Sequence, residues 1–395
     1  MPGNSFRTGI RAASAATALS LSLLLGGVSL APLGTGVAEG ATSTTRGPTA
    51  NEPDEEREAA PPLPERKPKK GYLFTYFTGS GSSDGEQVHF AVSRGNDALR
   101  WDELNNGDPV LTSTKGENGV RDPFIIRSPE GDKFYLIATD LRMHGDGNWD
   151  QAQRHGSKHI EVWESTDLIH WSEQRHVRVG PDNAGNVWAP EAYYDESIDA
   201  YVVFWASKLY AADDPNHTGD SYNRMMYATT RDFRTFSEPR VWQDPGHSVI
   251  DSTVISEDGT YYRFTKDERA NSDSAPCGKY ITAEKSPNLR STDYELIADC
   301  VGKPSGSEPG VSRGEGPTVF ESNIEDKWYM FIDEFGGRGY VPFETTDLDS
   351  GEWTVSENYD LPDSPRHGTV LPVTADELQR LRAEYGNRSR SVSPE

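Results

Sequence analysis

The sequence is poor in cysteine, in basic residues and in long hydrophobic runs. Its 395 residues include two cysteines, and 39 lysines and arginines stand against 63 aspartates and glutamates, for a net charge of −24. This acidic balance argues against nucleic acids and anionic membranes as partners and is compatible with a neutral polymer. Cys277 and Cys300 can form one disulfide, and without a nearby histidine they supply too few ligands for a metal site.

The apolar run at residues 16–27 is too short for a comfortable membrane span. Arg7 and Arg11 precede it and small residues follow it, so residues 1–38 are predicted to be a signal peptide, with cleavage after Ala38. Residues 39–70 are rich in Pro, Glu, Ala and Thr and predict a disordered linker, and residues 386–395 predict a disordered tail. We therefore expect a secreted, monomeric protein with its folded domain at residues 71–385.

The dominant feature of the sequence is a cycle of roughly 60–70 residues that occurs five times. Each cycle contains alternating aromatic strands, and the 37 glycines and 26 prolines suit many tight turns. The cycles close on an aromatic residue, namely Trp101, Trp171, Phe236, Tyr294 and Trp353. This pattern predicts an all-β fold, a five-bladed β-propeller.

The two ends of the repeat complement each other. The first cycle, from Tyr72, lacks an opening strand, whereas the strand at residues 368–373 stands alone at the C-terminal end. Pairing the C-terminal strand with the N-terminal strands would complete one blade and remove the free sheet edges. A short helix at Ala375–Tyr385 is predicted to follow, because Thr374 and Glu377 form a capping-box pattern.

A short sequence motif begins the first strand of each predicted blade. In a propeller these positions line the central axis at one face. The words are Arg121-Asp-Pro123, Trp188-Ala-Pro-Glu191, Ile250-Asp-Ser252, Gly314-Glu-Gly-Pro317 and Arg366-His-Gly368. Asp251 follows Asp122 by 129 residues and Glu315 follows Asp251 by 64, which matches two cycles and one cycle. Each acid alone has an ordinary explanation as a turn or loop residue. Together, in phase with the repeat, the three carboxylates suit glycoside hydrolysis, which needs one ionised and one protonated carboxyl group.

These words resemble those of glycoside hydrolase family 43, whose members are five-bladed propellers acting on arabinose- and xylose-containing polysaccharides. The resemblance covers residues 72–385. It implies an inverting reaction in which Asp122 is the general base and Glu315 is the general acid. Asp251 would modulate the pKa of the catalytic pair and help to orient it. The resemblance also implies substrate contacts by Arg121, Trp188, Glu191 and His367, and it allows a calcium ion near His367 without requiring a cofactor. The chain departs from the family pattern at Glu191, Ser252 and Ile255, where Asp, Pro and Phe are usual.

The predicted function is that of an exo-acting α-L-arabinofuranosidase on plant-type polysaccharides or oligosaccharides. A β-xylosidase, an endo-arabinanase and a non-catalytic glycan-binding propeller remain as alternatives. Further residues expected to contact the sugar lie on the blade strands and their loops, above all Asp140 and Trp205, followed by Lys208, Lys266, Asp333 and Arg338.

Overall fold

The computed structural model describes residues 67–145 and 147–386 of the chain. The predicted signal peptide, most of the predicted linker and the tail from residue 387 lie outside the described residues. The first strand begins at Lys69, two residues before the predicted start of the domain, because Lys69 already pairs with Thr374. Within the described ranges, no helix has the length and apolarity needed to cross a membrane.

The described residues form five four-stranded antiparallel sheets, which confirms the five-bladed β-propeller. Blade 1 contains β1 (Lys69–Phe77), β2 (His89–Arg94) and β3 (Asp97–Glu103); blade 2 contains β4 (Val120–Arg127), β5 (Phe134–Asp140), β6 (His159–Ser165) and β7 (Arg175–Arg178); blade 3 contains β8 (Trp188–Asp195), β9 (Ala200–Lys208), β10 (Asn223–Thr230) and β11 (Arg240–Gln243); blade 4 contains β12 (Val249–Glu257), β13 (Thr260–Asp267), β14 (Ile281–Ser286) and β15 (Glu295–Val301); blade 5 contains β16 (Glu315–Glu321), β17 (Trp328–Glu334), β18 (Gly339–Thr345) and β19 (Thr354–Val355); and β20 (Arg366–Thr374) joins blade 1. Two helices, α1 (Trp149–Arg154) and α2 (Ala375–Tyr385), and a 3-10 turn at Asn105–Gly107 complete the described elements.

The ring closes in blade 1, as the sequence predicts. The strand order of that sheet is β20-β1-β2-β3, with Leu73 opposite Leu371. The capping box of α2 is also present, because the Thr374 side chain accepts from the Glu377 N–H while the Glu377 carboxylate accepts from the Thr374 N–H. Arg127 of β4 forms an ion pair with Glu377, so α2 is fixed to the next blade as well.

The core lies between neighbouring blades, where large apolar side chains from facing sheets pack together. Trp205 of blade 3 belongs to the same buried cluster as Val162 of blade 2, and Phe74 of blade 1 packs edge-on against Phe331 of blade 5. In blade 4 a disulfide joins Cys277 to Cys300 across a sequence separation of 23 residues, in accord with the prediction.

The first strand of each blade lies innermost. In ring order, β20 contacts β4, β4 contacts β8, β8 contacts β12, β12 contacts β16, and β16 contacts β20. The residues at the beginnings of these five strands are therefore brought to one end of a common ring.

Candidate active site

Each of the five innermost strands carries a one-residue β-bulge near its beginning. In four of them a residue at the bulge has a positive φ angle, namely Asp122 (51°), Ala189 (49°), Asp251 (56°) and Gly316 (52°). Residues other than glycine rarely adopt this conformation, and bulges commonly re-aim a side chain next to an active site. The backbone is thus irregular at the sequence motifs that begin the innermost strands.

The bulges define which residues of different blades are equivalent. Arg121, Trp188, Ile250, Glu315 and Arg366 precede the bulge, and they pair with Thr139, Ala206, Lys266, Asp333 and Phe77, respectively. Asp251 is therefore equivalent to Asp122, but Glu315 is not, because Gly316 occupies that position in blade 5. The prediction that all three acids share one phase of the repeat is wrong by one residue for Glu315.

His367 lies between the two acids at the bulge positions. Its Nδ1 is 3.4 Å from Oδ1 of Asp122 and 3.9 Å from Oδ1 of Asp251. Burial would lower the pKa of His367, but the carboxylates of Asp251, Asp122 and Glu191 outweigh it and raise that pKa to about 9. The imidazole is therefore a buried cation near neutral pH, surrounded by acids from blades 2, 3 and 4.

Asp122 is held in its ionised form. Thr139 donates its hydroxyl to Oδ2 of Asp122 at 2.8 Å. Burial raises the pKa of Asp122, yet the hydrogen bond and charge of His367, the charge of Arg121 and the Thr139 hydroxyl together bring this pKa below its usual value. An ionised carboxylate at this place can accept a proton from water.

Asp251 and Glu191 have the opposite tendency. Burial, with the charges of Glu315 and Asp122, raises the pKa of Asp251 to about 6 against the opposing charges of His367 and Lys266. Burial also raises the pKa of Glu191 to about 8. Because the pKa values of acids in one cluster are moved apart, the cluster can hold ionised and protonated carboxyl groups at the same pH.

Gly316 and Tyr340 connect Asp251 to the strand that carries His367. Gly316 donates its N–H to Oδ2 of Asp251 at 3.1 Å. The hydroxyl of Tyr340 donates to the carbonyl oxygen of Gly316 at 2.7 Å and accepts the N–H of Gly368 at 2.8 Å. Tyr340, which the sequence did not single out, thereby joins the bulge of blade 5 to the strand that carries His367.

Glu315 stands between two cations. Lys266 Nζ lies 2.8 Å from Oε2 of Glu315, and Arg366 Nη2 donates to Oε1 at 2.8 Å. Burial raises the pKa of Glu315, but the charges of Lys266 and Arg366 outweigh it and hold that pKa below its usual value. Of these two cations, the sequence analysis expected Lys266 to contact sugar, and it placed Arg366 in an opening motif without assigning it a role.

Arg121 and Trp188 lie at the side of the site near α1. The guanidinium carbon of Arg121 is 5.2 Å from the ring centroid of Trp149, and the ring centroids of Trp149 and Trp188 are 6.0 Å apart in an edge-to-face arrangement. Trp149 is 49% exposed, which is unusual for so large an apolar side chain. Arg121 is fixed from behind by the buried carboxylate of Glu86, 3.0 Å away. These groups form an aromatic and cationic wall.

The structure places Asp140 and Trp205 outside this cluster and so does not support the prediction that they contact the sugar. Trp205 is 0% exposed and donates its ring N–H to Ser207 within the core. Asp140 is buried and accepts the N–H of Glu117 at 2.7 Å. Thr139 precedes Asp140 and pairs with Arg121, and Ala206 follows Trp205 and pairs with Trp188. Because successive strand residues point to opposite faces of a sheet, Asp140 and Trp205 point to the other face.

Calcium prefers six to eight oxygen ligands, and the carboxylates around His367 offer oxygens. The protonated His367, however, already places a positive charge among them. In the described part of the chain, the groups of side chains that could hold a metal ion are Cys277 with Asp299 and Cys300, and Asp140 with Glu161 and His176. The cysteines of the first group are disulfide-bonded, and neither group includes His367. Calcium near His367 stays a prediction.

Comparison with known proteins gives matches across the propeller. A family model described as a probable glycosyl hydrolase domain, related to family 43, matches residues 67–379. A curated α-L-arabinofuranosidase from Bifidobacterium longum subsp. longum is 36% identical over 368 residues, which cover 79% of this chain and 34% of that protein. The chain thus spans about a third of the length of that relative.

Among solved structures, an endo-1,4-β-xylanase from Bacteroides thetaiotaomicron is similar with a TM-score of 0.49 and 14% identity, over 75% of this chain and 93% of that one. An α-L-arabinofuranosidase from Lactobacillus brevis is similar with a TM-score of 0.42 and 15% identity, over 68% of this chain and 92% of that one. Such distant likenesses carry no argument about activity. The family model, however, spans all five blades and reaches into α2, and the chain therefore belongs to the glycosyl hydrolases related to family 43.

Proposed function

We propose that this domain is a secreted, inverting, exo-acting α-L-arabinofuranosidase that acts on arabinose-containing plant-type polysaccharides or oligosaccharides. The observation that carries the proposal is the group of acids around His367, in which the pKa of Asp122 is lowered while that of Asp251 is raised to about 6. The choice of sugar is supported by the name of the Bifidobacterium relative, an α-L-arabinofuranosidase. Secretion and a monomeric state belong to the same proposal.

In the proposed mechanism, Asp122 is the general base. Its carboxylate takes a proton from a water molecule as the water oxygen attacks the anomeric carbon, and the bond from that carbon to the leaving oxygen breaks. His367 and Thr139 keep the base ionised and fix its orientation. Asp251 lies beside His367 and accepts the Gly316 N–H, so it orients the backbone next to Glu315.

Glu315 is the proposed general acid, which gives its proton to the leaving oxygen. Lys266 and Arg366 hold Glu315 ionised, so this carboxylate must take up a proton before the leaving group departs. Binding of a sugar excludes water and changes the partners available to these cations. An inverting reaction further needs about 6.5–9.5 Å between the carboxyl groups of base and acid, which leaves room for the attacking water.

The wall formed by Trp149, Trp188 and Arg121 is the proposed place for the sugar ring. Trp149 offers an exposed aromatic surface, and Arg121 offers donors to hydroxyl groups while Glu86 holds its position. The buried Glu191 is not a direct sugar contact in this proposal. It lies beside Asp251 and His367 and acts on the charge of the cluster.

The first experiment is hydrolysis of 4-nitrophenyl glycosides by the purified chain from Glu39 to Glu395. We expect turnover of the α-L-arabinofuranoside and little of the β-D-xyloside or β-D-galactoside. Preference for the xyloside would favour a β-xylosidase, internal cleavage of arabinan would favour an endo-arabinanase, and no turnover of any glycoside, arabinan or xylan would favour a glycan-binding propeller. Proton NMR of the first-formed sugar tests the stereochemistry, and retention of the anomeric configuration would contradict the inverting mechanism.

Variants test the assignment of base and acid. Asp122→Ala should abolish turnover of all substrates, whereas Glu315→Ala should lower turnover of poor leaving groups by about 10²–10⁴-fold and spare good ones, which need little proton assistance. Asp140→Asn is the matched control, because it changes a buried carboxylate outside the cluster and keeps an oxygen for the Glu117 N–H. Equal losses for good and poor leaving groups in Glu315→Ala would contradict the acid assignment.

A further inference from the structure

Both cations that hold Glu315 also have a second carboxylate within reach. Lys266 Nζ is 2.8 Å from Oε2 of Glu315 and 2.7 Å from Oε2 of Glu268. Arg366 donates Nη2 to Oε1 of Glu315 and Nε to Oδ2 of Asp333. Each cation can therefore weaken its bond to Glu315 and remain paired with a negative charge.

Asp333 is the more unusual of these second partners. It lies on β17 directly opposite Glu315 in the strand register, and its exposure is 0%. Its Oδ2 accepts from Arg366, but its Oδ1 is buried and has no hydrogen-bond partner among the described residues. A buried carboxylate oxygen without a partner is costly, so this oxygen marks a place where a donor is missing.

The geometry of arginine indicates which donor that is. Nε and one terminal nitrogen of a guanidinium lie on the same edge and match the two oxygens of a single carboxylate. In the structure Arg366 divides this edge between two acids, with Nε on Asp333 and Nη2 on Glu315. A rotation of the guanidinium that places both nitrogens on Asp333 would release Oε1 of Glu315.

We propose that Asp333 is a positioning residue, the alternative partner to which Arg366 turns when Glu315 takes up the proton that it later gives to the leaving oxygen. The inference rests on the proposed role of Glu315 as general acid. The hydrogen bond from Nη2–H of Arg366 to Oε1 of Glu315 breaks, and a hydrogen bond from Nη2–H to Oδ1 of Asp333 forms. A proton from solvent then adds to Oε1 of Glu315. After Glu315 has given this proton to the leaving group it is ionised again, and Arg366 returns.

The charges around the pair agree with such a competition. Glu315 faces Lys266 from β13, Asp251 from β12, and Arg366 and His367 from β20. Burial raises the pKa of Asp333 to about 6 against the charge of Arg366, and the charge of Glu315 adds to the increase. The two carboxylates thus share one guanidinium. A stronger hydrogen bond from Arg366 to either carboxylate weakens its hydrogen bond to the other.

The test is a titration of the Glu315 carboxyl by carbon-13 NMR, with the signal assigned by its loss in Glu315→Gln. Asp333→Asn removes the competing charge, so Arg366 should stay on Glu315 and lower the Glu315 pKa by about one pH unit. The matched control is Glu334→Gln, the next residue on β17, whose buried carboxylate is bonded to Arg338 and the Ser312 N–H instead. This control should leave the Glu315 pKa unchanged.

Two outcomes would overturn the proposal. The first is an unchanged Glu315 pKa in Asp333→Asn, or in Asp333→Ser if the asparagine variant fails to fold. The second is a shift that persists when Arg366→Gln is already present, since Asp333 would then act by direct charge repulsion and not through Arg366. The titration needs no substrate, so it remains decisive even if the wild type hydrolyses no glycoside, a result that would refute the proposed function. If the wild type is active, Asp333→Asn should lose at least about tenfold more activity on poor leaving groups than on good ones.

Discussion

Replacing Gly316 by alanine tests whether the bulge of blade 5 and His367 are as closely packed as the structure indicates. Gly316 has a φ angle of +52°, donates its N–H to Asp251 and accepts the Tyr340 hydroxyl. A Cβ atom at this residue would lie 2.5 Å from Cγ of His367 and 2.7 Å from its Cβ. Contacts of this length do not occur in proteins, so the imidazole would have to move by roughly 1 Å to restore ordinary packing.

The cost of this substitution has two parts. A left-handed conformation costs alanine about 1–2 kcal/mol relative to glycine. Displacement of a well-packed side chain adds about 1–3 kcal/mol, so Gly316→Ala should lower the free energy of unfolding by about 2–5 kcal/mol. Gly259 provides the matched control, because its φ is +79° and its Cβ would meet no heavy atom within 4 Å. Gly259→Ala should therefore show only the first part.

Urea unfolding at neutral pH measures both variants, and the difference between them isolates the collision with His367. The same displacement should change the distance between the imidazole and Asp122, and with it the pKa of Asp122. The acid limb of the pH profile of kcat/KM should shift in Gly316→Ala and stay in place in Gly259→Ala. If the two variants unfold at the same urea concentration, the close packing of bulge and histidine is refuted.

Three further predictions follow from the structure. Thr139→Val removes the hydroxyl that donates to Asp122, so the pKa of Asp122 should rise and the acid limb of kcat/KM should move to higher pH, whereas an unmoved limb would contradict the hydrogen bond. Burial raises the pKa of Glu191 from 4.5 to about 8, so the folded state binds this proton more tightly and stability should fall between these pH values by up to about 1.4 kcal/mol per unit. Glu191→Gln should flatten that slope in urea unfolding measured across the window, and an identical slope in both proteins would count against the shift. Loss of the Cys277–Cys300 disulfide, which closes a separation of 23 residues, should lower the free energy of unfolding by about 3 kcal/mol, and equal unfolding midpoints with and without reductant would contradict this.

The blade count, the closure and α2 could be predicted because each depends on a pattern longer than a few residues. Five cycles, a strand missing at one end and a strand left over at the other are enough to specify a closed ring. The outermost strands could not be read in the same way. Three of them are short, at two residues for β19 and four each for β7 and β11, and alternation over so few residues is not distinguishable from a loop.

The one-residue bulge explains why Glu315 is not equivalent to Asp122 and Asp251. Because side chains alternate along a strand, one extra residue changes which side chains face the axis. On the second strands, Thr139 and Ala206 pair with the residues before the bulge, and Asp140 and Trp205 are their neighbours in sequence. The positive φ angle at the bulge occurs at residues such as Asp122, a residue type that does not by itself mark this conformation.

One signal in the sequence did mark the bulge. The words Arg121-Asp-Pro123, Trp188-Ala-Pro190 and Glu315-Gly-Pro317 align on their prolines, and this alignment places Glu315 opposite Arg121 and Trp188, as the strand register does. Alignment on the acids instead made Glu315 equivalent to Asp122. Blade 4, which lies between blades 3 and 5, has Ser252 at the position of the proline, so its motif does not show this alignment.

That difference of one residue separates the chemistry of the acids. Asp122 and Asp251 lie at the bulge and meet at the buried imidazole of His367. Glu315 lies one residue earlier, at the position that pairs with the second strand of its blade, and there it meets Lys266 and Arg366 instead. Chemically similar carboxylates thereby acquire different partners from one backbone irregularity repeated around a ring. The proposed base and the proposed acid therefore need no separate scaffolds, because the placement of a residue at the bulge or immediately before it determines which charges it meets.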